Sequence, residues 1–127
     1  MKEIKLNNLN LKTLTEQDIL DYCQLNNINS DNIIILNLQD SEFTDISGIK
    51  LFKNLETLFI GYNKIKDISV IKDLINLKIL GIEDLNLNSS QINHINSCKN
   101  LKKLYCYNGF KDMFILQKIK ILIQILN

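Results

Sequence analysis

The side chains best suited to chemistry in this sequence are one histidine, three cysteines and a scattered set of tyrosines and phenylalanines. His94 precedes Cys98 by four residues, a spacing that sets both on one face of a helix as a minimal Cys–His pair or half a metal site. Cys23 and Cys106 have no partner at a ligand spacing, and no CxxC, HExxH or phosphate-cradling glycine loop is present. The adjacent acids Glu83 and Asp84 read as ordinary surface. These residues predict no catalytic group, no metal site and no cofactor, and the sequence is read as that of a non-enzyme. Recognition is the chemistry left, carried by aromatic and aliphatic side chains whose placement depends on the fold.

That placement follows from an internal repeat. Apolar residues fall at Leu55, Leu58, Ile60, Ile65, Ile68, Ile71 and Leu74, and Leu77 restarts the cycle after 22 residues. Stepping back by the same period gives Ile33, Leu36, Leu38, Phe43, Ile46, Ile49 and Phe52, apolar at every position. The alternation at Leu58–Ile60 predicts a short strand, and the following steps of three suit a tight 3-10-like return. Forward from Leu77 come Leu80, Ile82, Leu87, Ile92, Ile95 and Cys98, a 24-residue unit whose two extra residues lie near Asn88–Gln91. The next unit, from Leu101, runs 21 residues, with Gly109 absorbing the deletion. His94 falls between core positions of this pattern and Cys98 occupies one, so a solvated imidazole and a packed thiol account for the pair.

The N-terminal unit is longer. Leu6, Leu9 and Leu11 predict its strand, Thr15 and Asp18 an N-cap with an acid in the first helical turn, and Ile19, Leu20 and Cys23, with Tyr22, an apolar helical stripe. The units are expected at about 6–32, 33–54, 55–76, 77–100 and 101–121, with a terminal strand at 122–127, all within one domain spanning 1–127.

The pattern LxxLxIxxNxIxxI from Leu55 to Ile68, with TDI at Thr44–Ile46, resembles the leucine-rich-repeat family over about residues 4 to 127, and its 22-residue units are most similar to the short internalin-type repeats. The resemblance implies an α/β, right-handed leucine-rich-repeat solenoid. Short parallel strands would line a concave face, with the N-terminal helix and 3-10 or loop segments on the convex side. It also implies that variable residues on the strands bind a protein. Internalins are secreted and carry a dedicated cap, and neither feature is visible in the sequence. Asn63 is expected to turn inward and bond the backbone of the turn after the strand, with Ser41 and Asn108 doing the same less uniformly.

In the strand pattern xLxLx the leucines enter the core and their neighbours face out. The outward set is Asn8, Asn10 and Lys12; Ile35, Asn37 and Gln39; Thr57, Phe59 and Gly61; Ile79, Gly81 and Glu83; and Lys103, Tyr105 and Tyr107, with Tyr62, Asp40 and Asp84 at the following edge. Ile35, Phe59, Ile79 and Tyr105 are expected to form an apolar-aromatic stripe, the usual basis of a binding hot spot. The same residues would also serve as plain cross-strand pairs. The candidate partner-binding residues are Ile35, Asn37, Gln39, Thr57, Phe59, Tyr62, Ile79, Glu83, Lys103, Tyr105 and Tyr107.

Composition narrows the partner. The 127 residues carry a formal net charge of +1, and every basic residue is lysine, so nothing electrostatic favours nucleic acid or an anionic membrane. The excess of Ile, Asn and Lys fits an AT-rich genome, such as that of a large DNA virus or a parasite. No stretch reaches the ~20 apolar residues of a membrane span, the start lacks the apolar core of a secretory signal, and the odd cysteine count suits a reduced compartment; a cytoplasmic protein is expected. A protein partner is predicted, with no nucleic acid and no membrane. The apolar segment Leu122–Leu126 offers an alternative, homodimerisation through the C-terminal edge strand.

Overall fold

The computed structural model describes residues 2–7 and 9–127. Six three-residue strands, β1 (Glu3–Lys5), β2 (Ile35–Asn37), β3 (Thr57–Phe59), β4 (Ile79–Gly81), β5 (Lys103–Tyr105) and β6 (Gln124–Leu126), form one parallel sheet in consecutive order. Leu36, Leu58, Leu80 and Leu104 stand opposite one another at the middle of successive strands, flanked by Ile4 and Ile125. One repeat has too little thickness to bury its own apolar side chains, so each core is closed by the next repeat. From Ile33 to Phe110 every apolar position of the repeat is buried, and Phe43, Phe52 and Phe110 are its largest fully enclosed side chains.

The return path is built from short helical turns at Ser47–Leu51 and Ser69–Asp73. An Asx turn opens each: Asp45 Oδ1 accepts from the Ser47 N–H at 2.8 Å, and Asp67 Oδ1 from the Ser69 N–H at 2.7 Å. The inserted residues of the 24-residue unit become a turn at Ser89–Gln91 leading into helix α2 (Ile92–Asn96), and Gln91 Oε1 accepts the Ile68 N–H of the preceding repeat at 2.8 Å. In the 21-residue unit Gly109 closes the shortened turn by donating its N–H to the Cys106 carbonyl at 2.7 Å, and a Cβ there would press on Ile82.

The first repeat corrects the sequence reading. Its strand is β1, with Ile4 and Leu6 buried, and not the segment from Leu6 to Leu11; Leu9 is exposed and Leu11 half-buried. Ile4 pairs in register with Leu36, which makes the unit 32 residues long and puts Leu14 in the core place of Ile46. The segment after the first turn then runs beside the second repeat, with Thr13 bridged to Asp45 and the Leu14 N–H donated to the Asp45 carbonyl at 2.7 Å. Helix α1 (Glu16–Leu25) starts at the expected cap. Thr15 Oγ1 accepts the Asp18 N–H at 3.2 Å, and Asp18 Oδ2 accepts the Thr15 N–H at 2.8 Å. Ile19 and Cys23 are buried and Tyr22 half-buried, whereas Leu20, expected on the apolar stripe, is exposed. Gly48 is needed where α1 meets the second repeat: a Cβ there would collide with the carbonyl group of Thr15. The next repeat has Val70 in that place, buried where its turn packs on the preceding turn, Ser47–Leu51, rather than on a preceding helix.

At the other end the core opens. Met113, Leu116 and Ile119 are only half-buried, and Phe114 and Leu122 are 78% and 95% exposed. The terminal strand expected over 122–127 is confined to β6, and Leu122 before it faces solvent. No helix among the described residues is long and apolar enough to cross a membrane.

Candidate functional site on the exposed sheet face

Strand alternation puts the leucines inside and fixes what faces out. The register arranges the outward residues in three columns across the sheet. The first runs Ile35, Thr57, Ile79, Lys103, and the second Asn37, Phe59, Gly81, Tyr105. The third, just beyond the strands, runs Gln39, Gly61, Glu83, Tyr107; its backbone is tied by the Tyr62 N–H to the Glu83 carbonyl at 2.8 Å and the Asp84 N–H to the Tyr107 carbonyl at 2.7 Å. All eleven sequence-predicted site residues lie on this face or its edge, and none is fully buried. The expected single stripe of Ile35, Phe59, Ile79 and Tyr105 is instead two half-stripes in adjacent columns, because those residues sit at different positions along their strands.

Of the other outward residues expected at the N-terminal end, Asn10 and Lys12 lie beyond β1 in the following segment, and Asn8 is outside the described residues. Glu3 and Lys5 take the outward places on β1, beside Ile35 and Asn37. The signal that could have found them is Leu11-x-x-Leu14, which repeats the spacing of Phe43-x-x-Ile46.

Glycine shapes the centre of the face. Gly81 lies between Phe59 and Tyr105 in its column, and the two rings meet across it edge to face, with centroids 6.4 Å apart and planes at 64°. A Cβ on Gly81 would stand 2.9 Å from Phe59 Cδ1. Two exposed tyrosines frame the pair, Tyr62 at 44% and Tyr107 at 56%. Tyr62 holds a left-handed backbone (φ 57°), in the place taken by Asp40, Asp84 and Asn108 in other repeats (φ 57°, 57° and 51°). Asp and Asn tolerate that conformation; a bulky tyrosine there is uncommon.

Glu83 is the residue whose role sequence reading missed. Its side chain is half-buried and folds over the two glycines, with Oε1 enclosed. Oε1 lies 2.8 Å from where a Gly61 Cβ would be and 2.9 Å from the same point on Gly81. Among the described residues it is the one buried side-chain oxygen that no donor reaches.

Two of the three scaffold residues expected to turn inward do so. The Asn63 amide donates to the carbonyls of Leu38 (2.7 Å), Ile60 (3.1 Å) and Gly61 (3.1 Å), and its Oδ1 accepts the Phe43 N–H at 3.0 Å. Ser41 Oγ donates to the Asn7 carbonyl at 2.8 Å. Asn108 does not join them: it is exposed at the left-handed turn, one residue before the buried Gly109 that occupies the Asn63 place.

The Cys–His pair does not assemble as a reactive unit. Cys98 Sγ donates to the backbone carbonyls of His94 (3.4 Å) and Ile71 (3.6 Å). Burial pushes its thiol up to about 11. Cys106 is also pushed up to about 11, by burial and then by the negative charge of Glu83. A nucleophilic cysteine requires a shift in the opposite direction.

No protein-family model matches this sequence, and no curated protein matches it. Among solved structures, an internalin C2 from Listeria monocytogenes superposes with a TM-score of 0.60 at 18% identity, covering 97% of this chain and 60% of that one. A second internalin of the same organism aligns over 74% of this chain and 34% of its own, with a TM-score of 0.47 at 23% identity. The chain thus spans about three-fifths of the length of internalin C2. The first likeness, with six consecutive parallel strands in one sheet, shows a leucine-rich-repeat solenoid.

Proposed function

We propose that this chain is an interaction module that binds a protein partner through the exposed face of its sheet. The observation that carries this reading is the Phe59–Tyr105 pair packed across Gly81, with Tyr62 and Tyr107 exposed beside it. Aromatic side chains already held by a rigid sheet lose little freedom on binding, and half-buried rings have apolar area left to cover. Ile35, Thr57 and Ile79 extend the apolar surface along the next column, with Asn37, Gln39 and Lys103 as the polar rim. The solenoid fold is typical of binding proteins, and the raised thiols of Cys98 and Cys106 favour a non-catalytic role.

The test is capture of partners from a lysate of the source cells by the wild-type chain and by a Phe59→Ala, Tyr105→Ala, Tyr107→Ala triple variant. Loss of a specific protein by the variant, with its circular dichroism unchanged, supports the reading. Retention of every captured protein by a folded variant removes the sheet face from contention.

A second reading is self-association through the C-terminal edge. It is favoured by Phe114, Leu122 and Ile125, which leave apolar surface beside β6, the last strand of the sheet among the described residues. Mass measurement in solution separates the two readings: a monomer at high concentration removes the second.

A further inference from the structure

We propose that Glu83 and the aromatic rings around it receive one cationic side chain, lysine or arginine, of the protein partner. This rests on the sheet face being the binding face and names the chemistry at its centre. Oε1 of Glu83 is buried, and no group among the described residues donates to it. A carboxylate oxygen in that condition is a standing electrostatic cost unless a positive or donor group is supplied from outside. Two other glutamates beside the sheet have cations of their own: Glu42 meets Lys64 at 2.9 Å and Glu56 meets Lys78 at 3.0 Å. Lys103, which faces out on the next strand, stands two columns away from Glu83 and forms no ion pair with it.

The surroundings suit a cation more than a neutral donor. Gly61 and Gly81 remove the side chains that would fill the floor, so the carboxylate lies low in the sheet with Phe59 beside it. Phe59 and Tyr105 stand together over Gly81, and Tyr107 follows Glu83 in its own column. An ammonium or guanidinium entering above Gly81 would meet the carboxylate and an aromatic face together, the arrangement that strengthens a cation–π contact by partial desolvation. Exposed Asp84 adds a second negative charge next to Glu83, and no lysine intervenes in the second or third column from β2 to β5. The same third-column place is Gly61 in the preceding repeat, Gln39 in the one before it and Tyr107 in the following repeat, so the solenoid itself has no need of a carboxylate there.

The experiment is an NMR titration of the uniformly 15N-labelled full chain with N-acetyl-lysine N-methylamide and its arginine counterpart. N-acetyl-norleucine N-methylamide serves as the uncharged isostere. Saturable shifts of the Gly61, Gly81, Glu83 and Tyr105 amides are expected for the two cations. Norleucine and the Glu83→Gln variant should each be weaker by about tenfold or more, the factor that a lost charged contact of ~1.4 kcal/mol produces. Gly81→Ala keeps the carboxylate but sets a methyl group against Oε1 and Phe59, and it should weaken the cations as well. Equal shifts with norleucine, or full affinity in folded Glu83→Gln, overturn the proposal. Partner capture separates this from the wider reading. If folded Glu83→Gln retains a partner that the aromatic triple variant loses, face binding stands and the cation receptor falls. If the triple variant also retains every partner, both fall.

Discussion

Replacing Asn63 by alanine tests most sharply how the repeat is held together beneath the face. The amide serves four backbone groups, and two of them, the Phe43 N–H and the Leu38 carbonyl, belong to the preceding repeat. Truncation leaves both without the side chain that satisfies them inside the turn. An unsatisfied buried backbone group costs about 1–3 kcal/mol, and Asn63 is half-buried, so water recovers part of that; the net expectation is roughly 2–4 kcal/mol. Ser41 occupies the same place one repeat earlier, with one good bond at 2.8 Å and a long one at 3.4 Å, and Ser41→Ala should cost about 1 kcal/mol. Urea unfolding followed by far-ultraviolet circular dichroism measures both, as a shifted midpoint at unchanged slope. If Asn63→Ala costs under about 1 kcal/mol, or no more than Ser41→Ala, the amide is not the link between repeats that its bonds indicate.

Three further outcomes follow from the packing and the charges. Gly48→Ala forces a methyl group into the Thr15 carbonyl and should destabilise by about 2 kcal/mol or more, while Val70→Ala at the matching place loses only the methyl groups, about 1 kcal/mol; thermal melts distinguish them. The carboxyls of Asp18 and Asp67 are held below their ordinary value, Asp18 chiefly by the Thr15 N–H and hydroxyl and Asp67 by the Ser69 N–H. A depressed folded-state pKa stabilises above the unfolded value, near 4, and that stability is lost as the pH falls through the lower folded value; stability measured from pH 6 down to 2 should decline in that window, less steeply in Asp18→Asn. With thiols pushed up to about 11, Cys98 and Cys106 should resist a thiol reagent at pH 8 in the folded chain and react on unfolding. Fast labelling of either in the folded chain would contradict the burial.

The middle of the solenoid was legible because one spacing, 22 residues, carried three kinds of information together: the strand alternation, the steps of three, and the inward asparagine. The first repeat was not legible by the same means. Ile4-x-Leu6 and Leu9-x-Leu11 both satisfy a strand alternation, and helix α1 breaks the period that would choose between them. What decides is packing: only β1 lets Leu14 fall beside Ile46 and carries the chain into the cap at Thr15. On the face, which residues point out could be read from alternation, but how they meet could not. The aromatic pair depends on two strands being separated by a glycine, and the inward fold of Glu83 depends on two glycines being neighbours across strands. Both are facts of register between repeats, invisible within any one of them. The open core beside β6 was anticipated as an apolar edge, though the full exposure of Leu122 was not.

The central claim is that the partner contacts the sheet face, and photo-crosslinking tests it without first knowing the partner. A benzophenone side chain placed at Tyr107, exposed on the face, is compared with one at Lys72, exposed on the opposite return path. The account predicts a discrete adduct from position 107 in source-cell lysate, competed by excess unlabelled wild-type chain, and none from position 72. A competed adduct from position 72 alone would contradict it.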